Sequence, residues 1–263
     1  MSARLVDASW PEVEARGRVA DAPTTLIVPL GATEQHGPHL PLGTDATIAV
    51  ALAEAAAARA ADAVVAPVLP YGSSGEHQDF AGTLSIGAAA TELVLVELGR
   101  SATETFPRLL FVNAHGGNAV PLRAAVARLR DEGRDVRAWS PSFGGDPHAG
   151  RTETSLMLAL EADTTLDRGR PDVRPQVRVG LAEAGNDAPL GELIDRLQAD
   201  GVRAVSPNGV LGDPAGASAA EGRALLAAAV DDLLATLAPS VGCSLWTAYV
   251  HKEQPTVGGG GAR

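Results

Sequence analysis

The residues TTLIVPLG at 24–31 and ATIAVALAEAAAARAAD at 46–62 decide the fold. The first is a short apolar run rich in β-branched residues and Leu, which is typical of a buried strand. The second is long and Ala-rich, which predicts a helix, and Asp45 stands directly before it in a position that favours an N-cap. A strand followed by a helix is the repeating unit of a parallel sheet.

The same alternation continues along the chain. Further strands are predicted at 63–70, 108–116 and 135–142, and further helices at 91–106, 120–131, 152–162, 190–199 and 218–237. The Arg-, Pro- and Val-rich segment 167–179 fits either an irregular excursion or an edge strand. We therefore predict an α/β fold, a three-layer α/β/α arrangement with a mostly parallel central sheet. We expect a single domain at 1–255 and a flexible C-terminal tail at 256–263.

Composition disfavours several functional classes. The chain has 263 residues, with 21 basic and 32 acidic side chains and a net charge of −11. This charge disfavours nucleic acid and anionic membranes as partners. The only cysteine, Cys243, excludes an internal disulfide. We find neither a secretory signal nor a run of ~20 apolar residues, so we expect a cytoplasmic protein.

Unusual polar residues follow each predicted strand. In doubly wound sheets, ligands bind beyond the carboxyl ends of the strands. Four loops lie there: GATEQHGPHLPLGTD at 31–45, YGSSGEHQDFAGT at 71–83, NAHGGN at 113–118 and FGGDPHAGRTETS at 143–155. Five of the six histidines fall in these loops. This clustering indicates a functional site at one edge of the sheet.

The loops contain the residue types that bind Zn, Fe or Mn. Side chains two apart in an extended segment point the same way, so Glu34 and His36 can face one pocket. Asp45 follows a Gly- and Pro-rich turn, His115 follows a strand, and Glu153 lies at the start of a helix. Three carboxylates and two imidazoles exceed the needs of a single catalytic zinc. They fit two metal ions, for which Asp45 is the best bridging candidate.

Each of these residues also has an ordinary structural explanation. Glu34 can be a solvated loop acid and His36 a hydrogen-bonded loop residue. Asp45 can cap a helix, His115 can belong to a turn, and Glu153 can be a charge at a helix N-terminus. Their convergence on one sheet edge is what favours ligation. A non-catalytic oligomer that keeps a metal only for structure is an alternative of another class. A dinucleotide-binding oxidoreductase is disfavoured because no G-x-G-x-x-G follows the first strand.

Other loop residues have weaker signals. His148, in a tight turn, can project into the pocket as an acid/base, or it is a plain hydrogen-bonded histidine. His39 is expected to support the site from outside. His77 and Glu76 are expected along the rim of the pocket.

The loop motifs resemble those of the creatininase family. The resemblance is carried by GATEQHGPHLPLGTDA at 31–46, YGSSGEHQDFAGTLS at 71–85, NAHGGN at 113–118, HAGRTETS at 148–155 and SPNGVLGDPAGASAAEG at 206–222. It covers most of the chain, and the E-x-H-G-x-H-x-P pattern followed by T-D is highly specific. It implies a three-layer α/β/α fold and two divalent metal ions, Zn and/or Fe, with Mn as a further option. It also implies an amidohydrolase and a homo-oligomer, a hexamer or similar.

The resemblance also assigns ligands residue by residue. Glu34 and His115 would bind one metal ion, and His36 would bind the second. Asp45 would bridge the two ions.

One position departs from the creatininase pattern. Creatininase proper has a glutamate where this chain has Gly117, and Glu153 is the natural substitute as a metal ligand and catalytic residue. His148 matches the catalytic histidine of the family's HAG segment. Weaker candidates for substrate binding are His77, Glu76, Gly117, Asn118 and Arg151.

Within the family, HAGRTETSLMLAL and SPNGVLGDP resemble the peptidases of the mycofactocin system. Those peptidases are understood to trim a C-terminal Val-Tyr pair from a modified ribosomal precursor peptide. The resemblance therefore implies a precursor-peptide substrate, cleaved by metal-activated water with release of the cofactor core. Creatinine-like or formamide substrates are the alternatives within the family.

Overall fold

The computed structural model describes residues 4–17, 24–163 and 176–237. Cys243, the tail at 256–263 and most of the segment 167–179 lie outside these ranges. Within them the strands are β1 Thr25–Leu30, β2 Ala63–Val65, β3 Arg108–Asn113 and β4 Asp135–Trp139. The α-helices are α1 Trp10–Gly17, α2 Thr44–Arg59, α3 Gly87–Ala102, α4 Ala119–Asp131, α5 Arg151–Ala162, α6 Leu190–Asp200, α7 Val202–Val205 and α8 Ala219–Leu237.

The described strands form one parallel sheet in the order β2-β1-β3-β4. Leu26 in β1 pairs with Val64 on one side and with Leu109 on the other. After β1 the chain adds β2 at one flank and then crosses to add β3 at the other. This reversal places a topological switch point between β1 and β3, where their carboxyl ends open a crevice.

Helices cover both faces of the sheet. Ile27 and Leu110 belong to a core that includes residues of α2, α5 and α8. Leu26 and Leu109, each one residue earlier, belong to a second core with residues of α3 and α4. Neighbouring side chains on a strand point to opposite faces, so the two cores lie on opposite sides of the sheet. The predicted three-layer α/β fold is confirmed.

The predicted N-cap role of Asp45 was wrong. Helix α2 begins at Thr44 and its N-cap position is occupied by Gly43. The Thr44 hydroxyl donates to the carbonyl of Pro41 at 2.7 Å, which fixes the turn that leads into the helix. Asp45 therefore lies in the first helical turn, and its buried side chain is available to the crevice.

Two other element boundaries differ from the prediction because of proline. Strand β2 ends at Val65 instead of 70, since Pro67 and Pro70 have no N–H to donate to a neighbouring strand. Helix α3 ends at Ala102 instead of 106, and Pro107 disfavours helical backbone at the residue before it. None of the helices in the described ranges combines the length and apolar character needed to cross a membrane.

Candidate metal centre

The loop after β1 carries buried charged groups into the crevice. Glu34 and His36 are 1% and 0% exposed. Helix α2 starts close to this loop because Gly31 has no side chain: a Cβ there would lie 2.4 Å from the backbone nitrogen of Ala46. The close approach brings Asp45, which is 2% exposed, beside the loop.

Asp45 lies between two imidazoles. Its Oδ1 is 3.1 Å from Nε2 of His36, and its Oδ2 is 3.2 Å from Nδ1 of His115. His115 follows the end of β3, and its Nε2 is 2.8 Å from the carbonyl oxygen of Ser73. Each oxygen of Asp45 therefore faces a different histidine, which is the placement needed for a bridging carboxylate.

Glu34 is surrounded by three more imidazole contacts. Its Oε2 is 3.3 Å from Nε2 of His115. Its Oε1 is 3.3 Å from Nε2 of His77 and 3.8 Å from Nδ1 of His148. Within the described residues, neither oxygen of Glu34, nor Oδ2 of Asp45, has a well-directed hydrogen bond. Buried carboxylate oxygens without hydrogen bonds are costly, so the pocket is suited to a bound cation.

His148 and Glu153 reach the same pocket from the region after β4. Ala149 between them has a φ of 54°, in the left-handed region that is unfavourable for residues with a Cβ. In this conformation its N–H donates to Oε2 of Glu153 at 2.5 Å. Glu153 Oε2 is 3.8 Å from Nε2 of His36, and the His148 ring lies 4.3 Å from the His36 ring.

Two contacts outside the cluster hold this arrangement together. Nε2 of His39 is 2.9 Å from the hydroxyl of Thr154, which joins the loop after β1 to helix α5. The backbones of His148 and Leu211 exchange hydrogen bonds of 3.3 and 2.8 Å. The segment 206–222 therefore holds the backbone of His148 in place.

Burial and mutual charge shift the pKa values of these groups strongly. Burial raises the pKa of Glu34 to about 7, although His115 opposes this shift. Burial alone would lower the pKa of His36 and of His115, but nearby carboxylates raise both to about 10. Burial raises the pKa of Glu153. The pKa of Asp45 lies far below its usual value because His36 and His115 outweigh the opposing effect of burial.

The two remaining histidines of the cluster shift the other way. Burial, together with the charge on His36, lowers the pKa of His77 to about 3 and places that of His148 well below its usual value. The pocket therefore holds neutral and charged imidazoles side by side, with its carboxylates attracting positive charge.

The donor atoms converge closely enough to hold divalent ions. Ligand atoms lie within 4.8 Å of one another in three groups: Glu34–Asp45–His115, His36–His148–Glu153 and Glu34–His77–His148. Nitrogen and oxygen ligands bind zinc at about 2.0–2.2 Å, so donors around one ion lie a few ångströms apart. Together with the unpartnered oxygens of Glu34, this convergence shows that the residues present fit a metal centre.

The predicted substrate-binding residues fall in different surroundings. His77 is 5% exposed and lies inside the cluster, so its predicted place at the rim was wrong. The reason is that both of its ring nitrogens contact buried groups of the loop after β1. Asn118 is buried and binds the carbonyl of Gly31 at 3.1 Å. Arg151 is half exposed and pairs with both oxygens of Glu221 at 3.0 and 2.9 Å.

Gly117 lies where the surrounding chain leaves no room for a side chain. A Cβ there would lie 2.1 Å from the carbonyl oxygen of Ser73 and 2.5 Å from Nε2 of His115. It would also lie 2.9 Å from Oε1 of Glu76, which is partly buried beside it. A side chain at position 117 would therefore require the loop at Ser73 to shift.

Gln35 is a residue of the cluster that the sequence pattern did not single out. The two-residue alternation predicts that its side chain points away from those of Glu34 and His36. Its amide nitrogen nevertheless contacts His77 and His148, which also lie against Glu34. The sequence feature that could have identified Gln35 is its position between Glu34 and His36 in the E-x-H motif. The motif indicated a role only for those two neighbours.

Buried carboxylates and imidazoles at the switch point of a parallel sheet give this chain the donor set that an α/β metal-dependent hydrolase needs. The family model described as "Creatininase: Creatinine amidohydrolase" matches residues 6–237. The chain belongs to the creatininase family and is a hydrolase of C–N bonds.

Curated relatives are similar over most of the chain. A "Mycofactocin precursor peptide peptidase" of Mycobacterium ulcerans (strain Agy99) is 50% identical over 225 residues, which cover 81% of this chain and 84% of the relative. The protein of the same name from Mycolicibacterium smegmatis is 51% identical over 78% of this chain and 81% of its own. The creatinine amidohydrolase of Pseudomonas putida is 34% identical over 61% of this chain and 73% of its own.

Solved creatininases share the fold. A crystal structure of creatinine amidohydrolase matches with a TM-score of 0.72 at 27% identity, over 90% of this chain and 96% of that one. A creatininase variant described as "Zn-Zn type" matches with a TM-score of 0.71 at 26% identity, over 90% and 97% of the two chains. A structure titled "Creatininase Mn" matches with a TM-score of 0.69 at 26% identity, over 90% and 98%.

Proposed function

We propose that this enzyme is a peptidase that trims a modified ribosomal precursor peptide near its C-terminal Val-Tyr pair. The released core would then proceed toward a redox cofactor. The similarity that supports this substrate is the 50% identity to relatives named as mycofactocin precursor peptide peptidases. The family resemblance implies a glutamate at this position in creatininase proper. The space around Gly117 does not hold a side chain unless the loop shifts, which argues against creatinine itself.

The proposal includes two divalent metal ions, zinc or iron, with manganese as a further option. One ion would be held by Glu34, Asp45 and His115, and the other by His36, Asp45 and Glu153. When bound, such a pair supplies a water that is nucleophilic near neutral pH and polarises the amide carbonyl. The observation that carries this assignment is the set of buried carboxylate oxygens of Glu34 and Asp45 that lack well-directed hydrogen bonds among the described residues.

We assign the acid/base role to His148. Its ring lies beside those of His36 and His77, at 4.3 and 4.5 Å, and its side chain is largely buried. A neutral imidazole in this place can accept a proton from the attacking water and return it to the departing amine. The side chain of Glu153 is 18% exposed, and its Oε2 is 3.8 Å from Nε2 of His36. In this place Glu153 could bind a metal ion and also accept a proton.

The remaining substrate contacts stay predictions. Glu76 and Gly117 adjoin His115, so they would border the reacting amide. Arg151 would reach a substrate carboxylate only by giving up its ion pair with Glu221. Asn118, which is buried, would act by holding the loops of the site in place.

The substrate is tested by incubating the purified, zinc- or iron-loaded protein with the modified precursor peptide and, separately, with creatinine. We expect a mass loss equal to a Val-Tyr dipeptide from the precursor and no turnover of creatinine. The variants Glu153→Gln and His148→Ala should lose this cleavage. Turnover of creatinine with an unchanged precursor would favour the small-molecule alternative, and hydrolysis that survives both substitutions would favour a purely structural metal.

We also propose a homo-oligomer, a hexamer or similar, in the cytoplasm. Exposed large apolar side chains support a subunit contact: they include Leu84, Ile86, Leu93, Val94, Leu98 and Val120, on or next to α3 and at the start of α4. Exposed apolar surface of this kind often marks a protein–protein contact. Light scattering coupled to size exclusion measures the subunit number directly, and a monomer at micromolar concentration would contradict the proposal.

A further inference from the structure

The side-chain amide of Gln35 has a fixed orientation. Gln35 is 5% exposed, and its Oε1 accepts the backbone N–H of Gly37 at 2.9 Å. A backbone N–H can only donate, so the oxygen of the amide must lie on this side. The NH₂ group of Gln35 must therefore face the histidines of the cluster.

Both amide hydrogens of Gln35 have acceptors. Its Nε2 is 2.8 Å from Nδ1 of His77, 3.1 Å from the carbonyl oxygen of Gly209 and 3.1 Å from Nε2 of His148. Nε2 of His148 donates its own hydrogen to the backbone carbonyl of Gln35 at 2.9 Å, so the two amide hydrogens go to His77 and Gly209. The Nδ1 of His77 must accept, so it carries no hydrogen. A neutral His77 then carries its hydrogen on Nε2, which lies 3.3 Å from Oε1 of Glu34.

We infer that Gln35 is a positioning residue that fixes His77 in the tautomer whose Nε2–H faces Oε1 of Glu34, at 3.3 Å and without a well-directed hydrogen bond. With Oε1 of Glu34 facing this donor, Oε2 is left for the metal beside Asp45 and His115. The inference rests on the proposed metal pair. This tautomer also excludes His77 as a ligand of a third ion. A metal binds the lone pair of a ring nitrogen, and Nε2 of His77 carries a hydrogen there instead. Partners of this kind orient ligands and tune metal affinity.

The backbone of Gln35 fixes the tautomer of His148 in the same way. Its carbonyl oxygen is 2.9 Å from Nε2 of His148, and a carbonyl can only accept. His148 therefore carries its hydrogen on Nε2. Its Nδ1, 3.8 Å from Oε1 of Glu34, is the nitrogen left with a lone pair toward the reacting groups.

The first test uses the wild-type protein alone. Long-range ¹H–¹⁵N spectra of histidine-labelled, zinc-loaded protein distinguish the two neutral tautomers of each imidazole. We expect His77 to be neutral with its hydrogen on Nε2. A hydrogen on Nδ1 of His77, or direct zinc ligation by its Nε2, would overturn the inference even if no variant folds.

The second test reverses the donor. In Gln35→Glu one carboxylate oxygen still accepts from Gly37, and the other presents an acceptor to His77. We expect the tautomer of His77 to reverse and the zinc affinity, measured by chelator competition, to fall about 10–100-fold. Gln78→Glu adds the same charge at an exposed position next to His77 and is the matched control.

Two outcomes separate this inference from the proposed function. Equal zinc affinity in Gln35→Glu and Gln78→Glu would overturn the positioning role, whatever peptide the enzyme cleaves. Failure of the wild-type protein to cleave the precursor would overturn the proposed substrate, while tautomers and zinc affinity would still decide the role of Gln35.

Discussion

At the scale of single residues, the cluster balances buried acids against buried imidazoles. The nearby carboxylates raise the pKa of His36 and of His115 to about 10, which favours the protonated imidazoles when no metal is bound. A metal ion binds only the neutral imidazole, so it must displace those protons. Protons and metal ions therefore compete for the same carboxylate-lined pocket.

This competition predicts the direction of the pH dependence of zinc binding. Because zinc displaces protons from His36 and His115, its apparent affinity should rise as pH increases between about pH 6 and pH 8. Calorimetric titrations in two buffers with different ionisation enthalpies should show net proton release on binding. An affinity that stays constant or falls over this range would contradict the assigned ligands.

Gly117 offers a second test at this scale. Gly117→Glu should destabilise the protein, by about 1–3 kcal/mol or more, because its Cβ would overlap the carbonyl oxygen of Ser73. Gly116→Ala is the matched control, since a Cβ at Gly116 meets no atom within 4 Å among the described residues. Urea unfolding measures both. A stable Gly117→Glu protein that turns over creatinine would show that the loop can adopt the creatininase arrangement.

The residue types of the site were predictable, but their finer geometry was not. Glu34, His36, Asp45, His115 and Glu153 were selected because acids and imidazoles repeat after strands, and the fold does bring them together. His77 was expected at the rim because its loop shows no partner nearby in sequence. Its partners are Gln35 and Glu34, some 40 positions away, and a contact between distant loops leaves no periodic signal.

At the scale of secondary-structure elements, one buried hydrogen bond joins the start of α5 to the loop after β1. The hydroxyl of Thr154 in its first turn binds Nε2 of His39 at 2.9 Å, and both side chains are buried. This bond fixes the helix end that carries Glu153 against the loop that carries Glu34 and His36. A change at Thr154 should therefore affect both stability and metal binding.

Thr154→Val keeps the shape of the side chain but removes the hydroxyl. We expect a loss of about 1–3 kcal/mol in the free energy of unfolding, because Nε2 of His39 loses its buried partner. Thr154→Ser keeps the hydroxyl and should bind zinc like the wild type. Equal stability of the Val variant and the wild type in urea would show that this bond does not anchor α5.

Elements with strong periodicity were predicted best. The strands β1 and β3 and the helices α4, α5, α6 and α8 lie within about two residues of their expected positions, apart from the carboxyl end of β3. The helices α1 and α7 were not predicted, because α7 has four residues and α1 is mostly polar, so neither has a long apolar stripe. Prolines after β2 and α3 shifted the ends of both elements.

At the scale of the whole molecule, the sheet order creates the site. The switch point between β1 and β3 brings the loops that follow them together, so Glu34 meets His115. His36 and His115 then lie on either side of Asp45. Alternation of strands and helices predicts a parallel sheet, but not the strand order. A metal ion bound here would join loops from distant parts of the chain. Its binding should therefore increase the free energy of unfolding of the whole protein.

Metal removal tests this coupling. A ligand present at about 100 to 1,000 times its Kd adds about 3–4 kcal/mol to the stability of the folded state. For a chain of this size we expect chelation to lower Tm by roughly 5–15 °C, and added zinc to restore it. Chelated and zinc-loaded protein that melt at the same temperature would show that no ion is held by the folded cluster.

Two divalent ions are expected to lie between five side chains at the switch point. Anomalous X-ray diffraction at the zinc edge, on crystals of zinc-loaded protein, locates such ions directly. We predict one peak among Glu34, Asp45 and His115, a second among His36, Asp45 and Glu153, and the loss of at least one peak in Asp45→Asn. Crystals in which this cluster shows no anomalous peak, with Asp45 bonded only to protein or water, would contradict the account.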